Sequence, residues 1–294
     1  MNIRGKDLFV EEFGKENEHA ILYLHGGPGE SCFDFSQHQA ERLSQHFRVI
    51  AIDQRGVCRS EAIKPEEDFG LDDLVEDCET LRNTLDIKKW SVIGHSFGGY
   101  LALHYASIHP DSIHKLIFEG ATFDFAVTSR VLLTKTAQIA RKYGKDDLAN
   151  ECIEFRNSNA TPRELTEGYM RLSQGLEENR MEIYRYEWTN PTNYSCYSDN
   201  EWEEFYDRSE IHYNLLRDEG KIFESLLPKI KNVHVPMLML NGRHDPVACE
   251  THTSNFINDA SNGQIITFDG SGHTPHYEEP ELFMEEVRKF LLAK

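Results

Sequence analysis

The run Trp90-Ser91-Val92-Ile93-Gly94-His95-Ser96-Phe97-Gly98-Gly99, continued by Tyr100-Leu101-Ala102-Leu103-His104-Tyr105-Ala106, decides the reading of this chain. Its first four residues read as a strand and its last seven as a helix, with Gly-x-Ser-x-Gly between them. A strand that turns into a helix over so few residues leaves the serine on a strained turn, its hydroxyl lifted above the sheet edge, and the flanking glycines give the backbone room. Ser96 is therefore the candidate nucleophile. Such a pentapeptide can also be a plain turn, so its partners have to be sought elsewhere.

Two later strand ends supply them. Val235-Pro236-Met237-Leu238-Met239-Leu240 runs into Asn241-Gly242-Arg243-His244-Asp245, and Ile265-Ile266-Thr267-Phe268 runs into Asp269-Gly270-Ser271-Gly272-His273. Asp245 is the candidate acid and His273 the candidate base. The order serine, aspartate, histidine differs from the two protease arrangements in which the histidine precedes the serine. Glu119, closing the strand after Ser96, is an alternative acid, and His276 a competing base without the Gly-x-Gly-His setting of His273. Asp53, ahead of Arg55-Gly56, is expected to shape its own loop. Upstream, Leu22-Tyr23-Leu24 leads into His25-Gly26-Gly27-Pro28-Gly29, a glycine-rich loop suited to aim a backbone N–H at a developing oxyanion. The N–H groups of Gly27 and of Phe97, just after the serine, are the candidates.

Bulk composition narrows the class. With 294 residues, 39% hydrophobic and 28% charged, the chain reads as a globular protein with a large core. No apolar run approaches a membrane span, and the N-terminus lacks a secretory pattern, so a cytoplasmic enzyme is expected. A net charge of −19 disfavours nucleic acid and anionic membranes and suits a neutral or cationic substrate. Cys32, Cys58, Cys78, Cys152, Cys196 and Cys249 show no C-x-x-C pair, and the fourteen histidines no His-Glu-x-x-His helix. Reduced thiols, no metal and no cofactor are the expectation; the sequence sets no oligomeric state.

Strand-like runs at 7–13, 20–24, 47–52, 90–93 and 114–118 alternate with helical stretches at 71–85 and 100–107. That alternation implies an α/β fold with a mostly parallel central sheet flanked by helices. The first two strands, parted by a short polar turn, are expected to form an antiparallel hairpin. Residues 122–228 read as helices without a buried strand, too long for a structureless loop. The expected organisation is a core formed by 1–121 and 229–294, with 122–228 inserted as a helical cap. Its aromatic residues, Tyr184, Tyr186, Trp188, Tyr194, Tyr197 and Trp202 among them, either line a pocket or fasten cap to core.

His25-Gly26-Gly27-Pro28-Gly29, Asp53-Gln54-Arg55-Gly56, Arg59-Ser60 and Gly94 to Gly99 together resemble the prolyl iminopeptidase branch of the α/β-hydrolases, over nearly the whole chain apart from the cap. The resemblance implies an α/β-hydrolase fold and a cofactor-free serine aminopeptidase that releases an N-terminal residue, often proline, from short peptides. It also implies cap glutamates that hold the substrate's free amine. Arg208-Ser209-Glu210-Ile211-His212-Tyr213 is similar to one such segment, which nominates Glu210; Tyr186-Glu187-Trp188 resembles the other, which nominates Glu187, with Glu182 or Glu204 as substitutes. Two departures bear on specificity. Cys58 stands where the family usually has glycine, and Gly-His-Ser-Phe-Gly-Gly is common among general esterases and lactonases. The alternative is thus a carboxylesterase or lactonase acting on small acyl esters. Epoxide hydrolases and haloalkane dehalogenases carry an aspartate where this chain has Ser96.

Overall fold

The computed structural model describes residues 1–187 and 191–293. The described residues build a seven-stranded sheet from β1 (Val10–Phe13), β2 (Ala20–Leu24), β3 (Arg48–Ile52), β4 (Trp90–His95), β5 (Ile113–Glu119), β6 (Met237–Gly242) and β7 (Gly263–Phe268). Its spatial order is β1-β3-β2-β4-β5-β6-β7, every pair parallel except β1 with β3.

Alternation of side chains along each strand sends them into two cores. Leu22, Leu24, Ile50, Ile52, Val92 and Leu116 pack with α1 (Leu71–Thr84) and α2 (Phe97–Ile108) on one face. Ile21, Tyr23, Val49, Ala51, Ile93 and Ile117 meet Phe35, Leu43 and the last helix on the other. A strand apolar on both faces belongs inside a sheet covered on both sides, and β2, buried at all five positions, lies between β3 and β4.

This burial corrects the expected hairpin. β2 has parallel partners along both edges, so β1 pairs with β3 instead, Val10 opposite Ile52 and Phe13 opposite Val49. With Glu11 and Glu12 and only half-buried positions, β1 is suited to the sheet edge. The expected strand at 7–13 is also divided, because Lys6–Asp7 pairs with Asn2–Ile3 in a separate two-stranded ribbon.

Between β5 and β6 the described residues hold no strand. α3 (Phe125–Lys142), α4 (Asp146–Arg156) and α5 (Pro162–Ser173) pack around Leu132, Leu133, Cys152, Leu165 and Leu172, a core of their own that takes in Val247. α6 (Asp199–Glu219) follows. Thr161 and Glu164 begin α5, and Ser198 and Glu201 begin α6, each pair as a reciprocal capping box that satisfies otherwise orphaned N–H groups. The chain closes with α7 (Glu250–Asp259) and α8 (Pro280–Leu292). Among the described residues no helix is long and apolar enough to cross a membrane.

Candidate active site

Close packing forces the turn at Ser96. A Cβ on Gly98 would lie 2.0 Å from the Leu24 carbonyl oxygen, and one on Gly94 2.3 Å from that of Gly98, so neither position admits a side chain. Ser96 itself has φ 52° and ψ −117°, a conformation that costs a non-glycine residue roughly 1–3 kcal/mol. Its N–H donates to the Glu119 carbonyl at 2.9 Å, which fastens the turn to the end of β5. The side chain sits half-buried at the rim.

The loops after β6 and β7 meet on the same rim. His273 Nδ1 donates to Asp245 Oδ1 at 3.0 Å, with both side chains nearly withdrawn from solvent. Asp245 also accepts from the N–H groups of Val247 at 2.8 Å and Ala248 at 3.3 Å, so its carboxylate is fixed before the imidazole docks on it. A Cβ on Gly120, two residues beyond the Phe118 end of β5's core, would lie 2.8 Å from His273 Nδ1 and 3.0 Å from Asp245 Oδ2. Burial acts to lower the His273 pKa, but the charge and hydrogen bond of Asp245, with Glu30 and Glu119 behind them, outweigh it and leave the pKa raised. An Nδ1–H committed to Asp245 leaves Nε2 as the basic nitrogen.

The two competitors from the sequence pair with each other. Glu119 accepts from the His276 backbone N–H at 2.7 Å and from its ring Nδ1 at 2.9 Å, all of it buried. His95 Nδ1 lies 3.7 Å from the same carboxylate. His95, Glu119 and His276 are the group of described residues whose donor atoms converge enough to hold a metal ion, yet both Glu119 oxygens already accept from His276 Nδ1 at 2.9 and 3.0 Å. The His95 and His273 rings meet at 4.6 Å between centres, tilted by 49°, so this second pair backs the first.

Asp53 shapes its loop, as expected. It accepts from Ser31 Oγ at 2.7 Å and the Cys32 N–H at 2.9 Å, and its ion pair with Arg59 at 2.6 Å is almost wholly buried. Burial favours the neutral acid, but the hydrogen bond and charge of Arg59 prevail and hold the Asp53 pKa below the usual carboxylate range. The stability this contributes is present above the unfolded-state value near ~3.9 and is lost as pH falls through the lower folded value. Asp53→Asn strands the Arg59 charge in the interior. We expect urea unfolding at neutral pH to show a loss of about 3–5 kcal/mol, with the difference from wild type shrinking in acid.

The candidate oxyanion donors flank Ser96. Phe97 opens α2, where N–H groups lack acceptors within the helix. Gly27 follows Gly26, and a Cβ on Gly26 would lie 3.0 Å from Ser96 Cβ and 3.1 Å from His95 Cδ2. Gly29, at φ +99°, lets α6 lean on this loop, for a Cβ there would lie 3.0 Å from the Ser209 carbonyl oxygen. Ser209 Oγ accepts from the Cys58 N–H at 3.4 Å. Cys58 has φ 44°, the left-handed conformation for which the family's usual glycine is suited.

Glu210 is exposed in a groove of about 410 Å³ that it lines with Pro28, Met170, Tyr206, Tyr213 and Arg217. Glu187 is exposed at the edge of the described residues. Glu182 bonds Lys142 and Tyr143, and Glu204 lies on the exposed side of α6, 4.0 Å from Arg208. A second cavity of about 210 Å³, lined by Arg4, Arg55 and Asp73 among others, shares no residue with this groove. The aromatic residues divide. Tyr184 faces the site, its ring 5.5 Å from that of His273 and its carbonyl accepting the His273 N–H at 2.7 Å. Tyr186 stacks on His244 at 3.7 Å. Tyr194, Tyr197 and Trp202 pack on Phe33 and fasten the inserted helices to the sheet domain. Trp188 lies outside the described residues.

Two residues had no sequence reading. Glu278 accepts from the N–H groups of Gly272 at 3.0 Å and Thr274 at 3.1 Å through one oxygen, and from that of Tyr186 at 3.0 Å through the other, a collar around His273. Glu30 turns its carboxylate back over Gly26, 2.8 Å from the point a Cβ would occupy there. Its place directly after His25-Gly26-Gly27-Pro28-Gly29 is the one signal that would have found it.

The sheet, the elbow and the serine-aspartate-histidine order have their counterpart among known proteins, where the family described as alpha/beta hydrolase fold matches residues 19–280. The chain belongs to this α/β hydrolase family. It is 26% identical over 284 residues to the "Probable proline iminopeptidase" of Leptolyngbya boryana, 91% of this chain and 85% of that protein. Among solved structures it is similar to proline iminopeptidase from Mycobacterium smegmatis, with a TM-score of 0.70, 18% identity and coverage of 99% and 96% of the two chains. The enol-lactonase from Burkholderia xenovorans LB400 is also similar, with a TM-score of 0.65, 20% identity and coverage of 99% and 98%. In an α/β hydrolase the nucleophile stands on the elbow between strand and helix, and acid and base follow it in the chain. Here Ser96 stands on the elbow, and the candidate acid Asp245 and candidate base His273 follow it in the chain.

Proposed function

We propose that this α/β hydrolase is a serine aminopeptidase of prolyl iminopeptidase type, acting in the cytoplasm without metal or cofactor to release an N-terminal residue, proline included, from short peptides. The observation that supports the hydrolase chemistry is the His273–Asp245 pair at 3.0 Å beside the strained turn of Ser96, and the peptide preference rests on the His25-Gly26-Gly27-Pro28-Gly29 loop and the cap carboxylates. His273 Nε2 removes the Ser96 proton as Oγ attacks the scissile carbonyl carbon, and Asp245 stabilises the imidazolium. The N–H groups of Phe97 and Gly27 receive the oxyanion; such a donor is worth roughly 2.7–4 kcal/mol. His273 then gives its proton to the departing amine, and water, activated by the same nitrogen, frees Ser96 from the acyl group. Residues 1–121 and 229–294 form the catalytic core in this reading, and 122–228 its cap.

Cap carboxylates supply the peptide preference. Glu210 shares its groove with Pro28 of the oxyanion loop, and with Glu187 it would receive a substrate ammonium whose pKa is near ~7.7–8.0. The test offers purified protein L-proline and L-alanine arylamides beside p-nitrophenyl acetate and butyrate. Turnover of the arylamides supports the aminopeptidase; ester cleavage without it replaces this reading with a carboxylesterase or lactonase. Glu210→Gln is expected to raise KM for the arylamides about tenfold, the loss of one charge-assisted hydrogen bond, and to leave the acetate KM unchanged. Equal effects on both would remove Glu210 from the site.

A further inference from the structure

Four other carboxylates of the core loops near Ser96 are engaged. Asp245 holds His273, Glu119 holds His276, Asp53 holds Arg59, and Glu278 gathers backbone N–H groups. Glu30 is different. Among the described residues its carboxylate has no hydrogen bond or ion pair, although its N–H donates to the Gly26 carbonyl at 3.3 Å and folds the loop back on itself. The point where a Gly26 Cβ would stand lies 2.8 Å from Glu30 Oε2 and 3.0 Å from Ser96 Cβ, so the free carboxylate adjoins the candidate nucleophile. Glu30 is exposed, and the protein atoms around its carboxylate raise its pKa while the charges of His273 and His276 oppose the rise.

A bare negative charge here works against chemistry that builds an oxyanion a few ångströms away. The conflict disappears if the substrate brings a positive charge to the same place. In an aminoacyl substrate one carbon separates the α-nitrogen from the scissile carbonyl carbon, which puts the two about 2.5 Å apart. Glu30, next to the nucleophile, is placed to touch that nitrogen while the carbonyl is under attack, as a further carboxylate beside Glu210 and Glu187.

We propose that Glu30 binds the α-ammonium of the residue to be released, the secondary ammonium of proline included, and so restricts the enzyme to substrates with an unblocked N-terminus. The assignment rests on the aminopeptidase reading above. It makes Glu30 a substrate-binding residue whose charge favours free-amine substrates and penalises N-acylated and neutral ones.

The experiment compares wild type, Glu30→Gln and Glu30→Asp on L-alanine and L-proline arylamides, N-acetyl-L-alanine p-nitrophenyl ester and p-nitrophenyl acetate, with thermal melts to show that each variant is folded. For Glu30→Gln we expect kcat/KM on the arylamides to fall on the order of a hundredfold, with turnover of the acetate and the N-acetyl ester unchanged or raised severalfold. Glu30→Asp should recover part of the loss. Glu30→Gln that keeps wild-type arylamide turnover, or loses free-amine and blocked substrates alike, overturns the assignment alone. Wild-type protein that cleaves the esters but no arylamide overturns the aminopeptidase reading, and the assignment with it.

Discussion

Ser96→Ala is expected to lower kcat by about 10⁴- to 10⁶-fold on arylamides and esters alike, because no other group at the elbow can form the acyl intermediate. The fold should be unaffected. Alanine meets the same left-handed backbone as serine, and the Ser96 N–H bond to Glu119 is a main-chain contact that the substitution keeps. Binding should survive as well, since the groove at Glu210 and the carboxylate of Glu30 are untouched. Full loss of kcat with an inhibitor constant for a substrate amide near wild type is the expected signature. A variant that keeps even a hundredth of wild-type kcat would move the nucleophile elsewhere.

Asp245→Asn should cost nearly as much, on the order of 10⁴-fold in kcat, because an amide donates where His273 Nδ1–H needs an acceptor and so selects the wrong tautomer. The pH profile distinguishes this from a general loss of order. His273 must be neutral to accept the serine proton, and its pKa is raised above the ordinary 6.5. The wild-type kcat/KM for p-nitrophenyl acetate, a substrate with no titrating amine, should therefore rise with pH through a midpoint above 6.5. In Asp245→Asn the charge that most opposes the burial of the imidazole is gone, so the midpoint of the residual activity should move down. An unmoved or higher midpoint would show that another group sets the acid limb.

How far the sequence discloses this arrangement depends on the range of each signal. Strands such as Ala20–Leu24 and the helix from Leu71 show locally, since burial on two faces or on one stripe is written in consecutive residues. Pairing is not local. The turn at Gly14 to His19 points to a hairpin, but the demand of β2 for neighbours on both edges decides otherwise, and that demand comes from strands up to about seventy residues away in the chain. The same holds at the site. Ser96, Asp245 and His273 each carry a glycine-rich or strand-end setting that marks them singly. Glu119 and His276 read as rivals of Asp245 and His273, whereas the fold joins them to each other. Glu30 and Glu278 look like ordinary loop charges because what distinguishes them is the direction of a side chain, which spacing does not encode. The aromatic residues of the inserted helices show the same limit, with Tyr184 facing His273 and Trp202 packed on Phe33.

The central claim is that His273, oriented by Asp245, makes the hydroxyl of Ser96 nucleophilic. Treating the folded protein with a fluorophosphonate and measuring its intact mass, then mapping the modified peptide, tests it most directly. The account predicts a single adduct on the peptide that carries Ser96, absent from Ser96→Ala and formed far more slowly in Asp245→Asn. No adduct on the folded wild-type protein, or one on a peptide that does not contain Ser96, would contradict it.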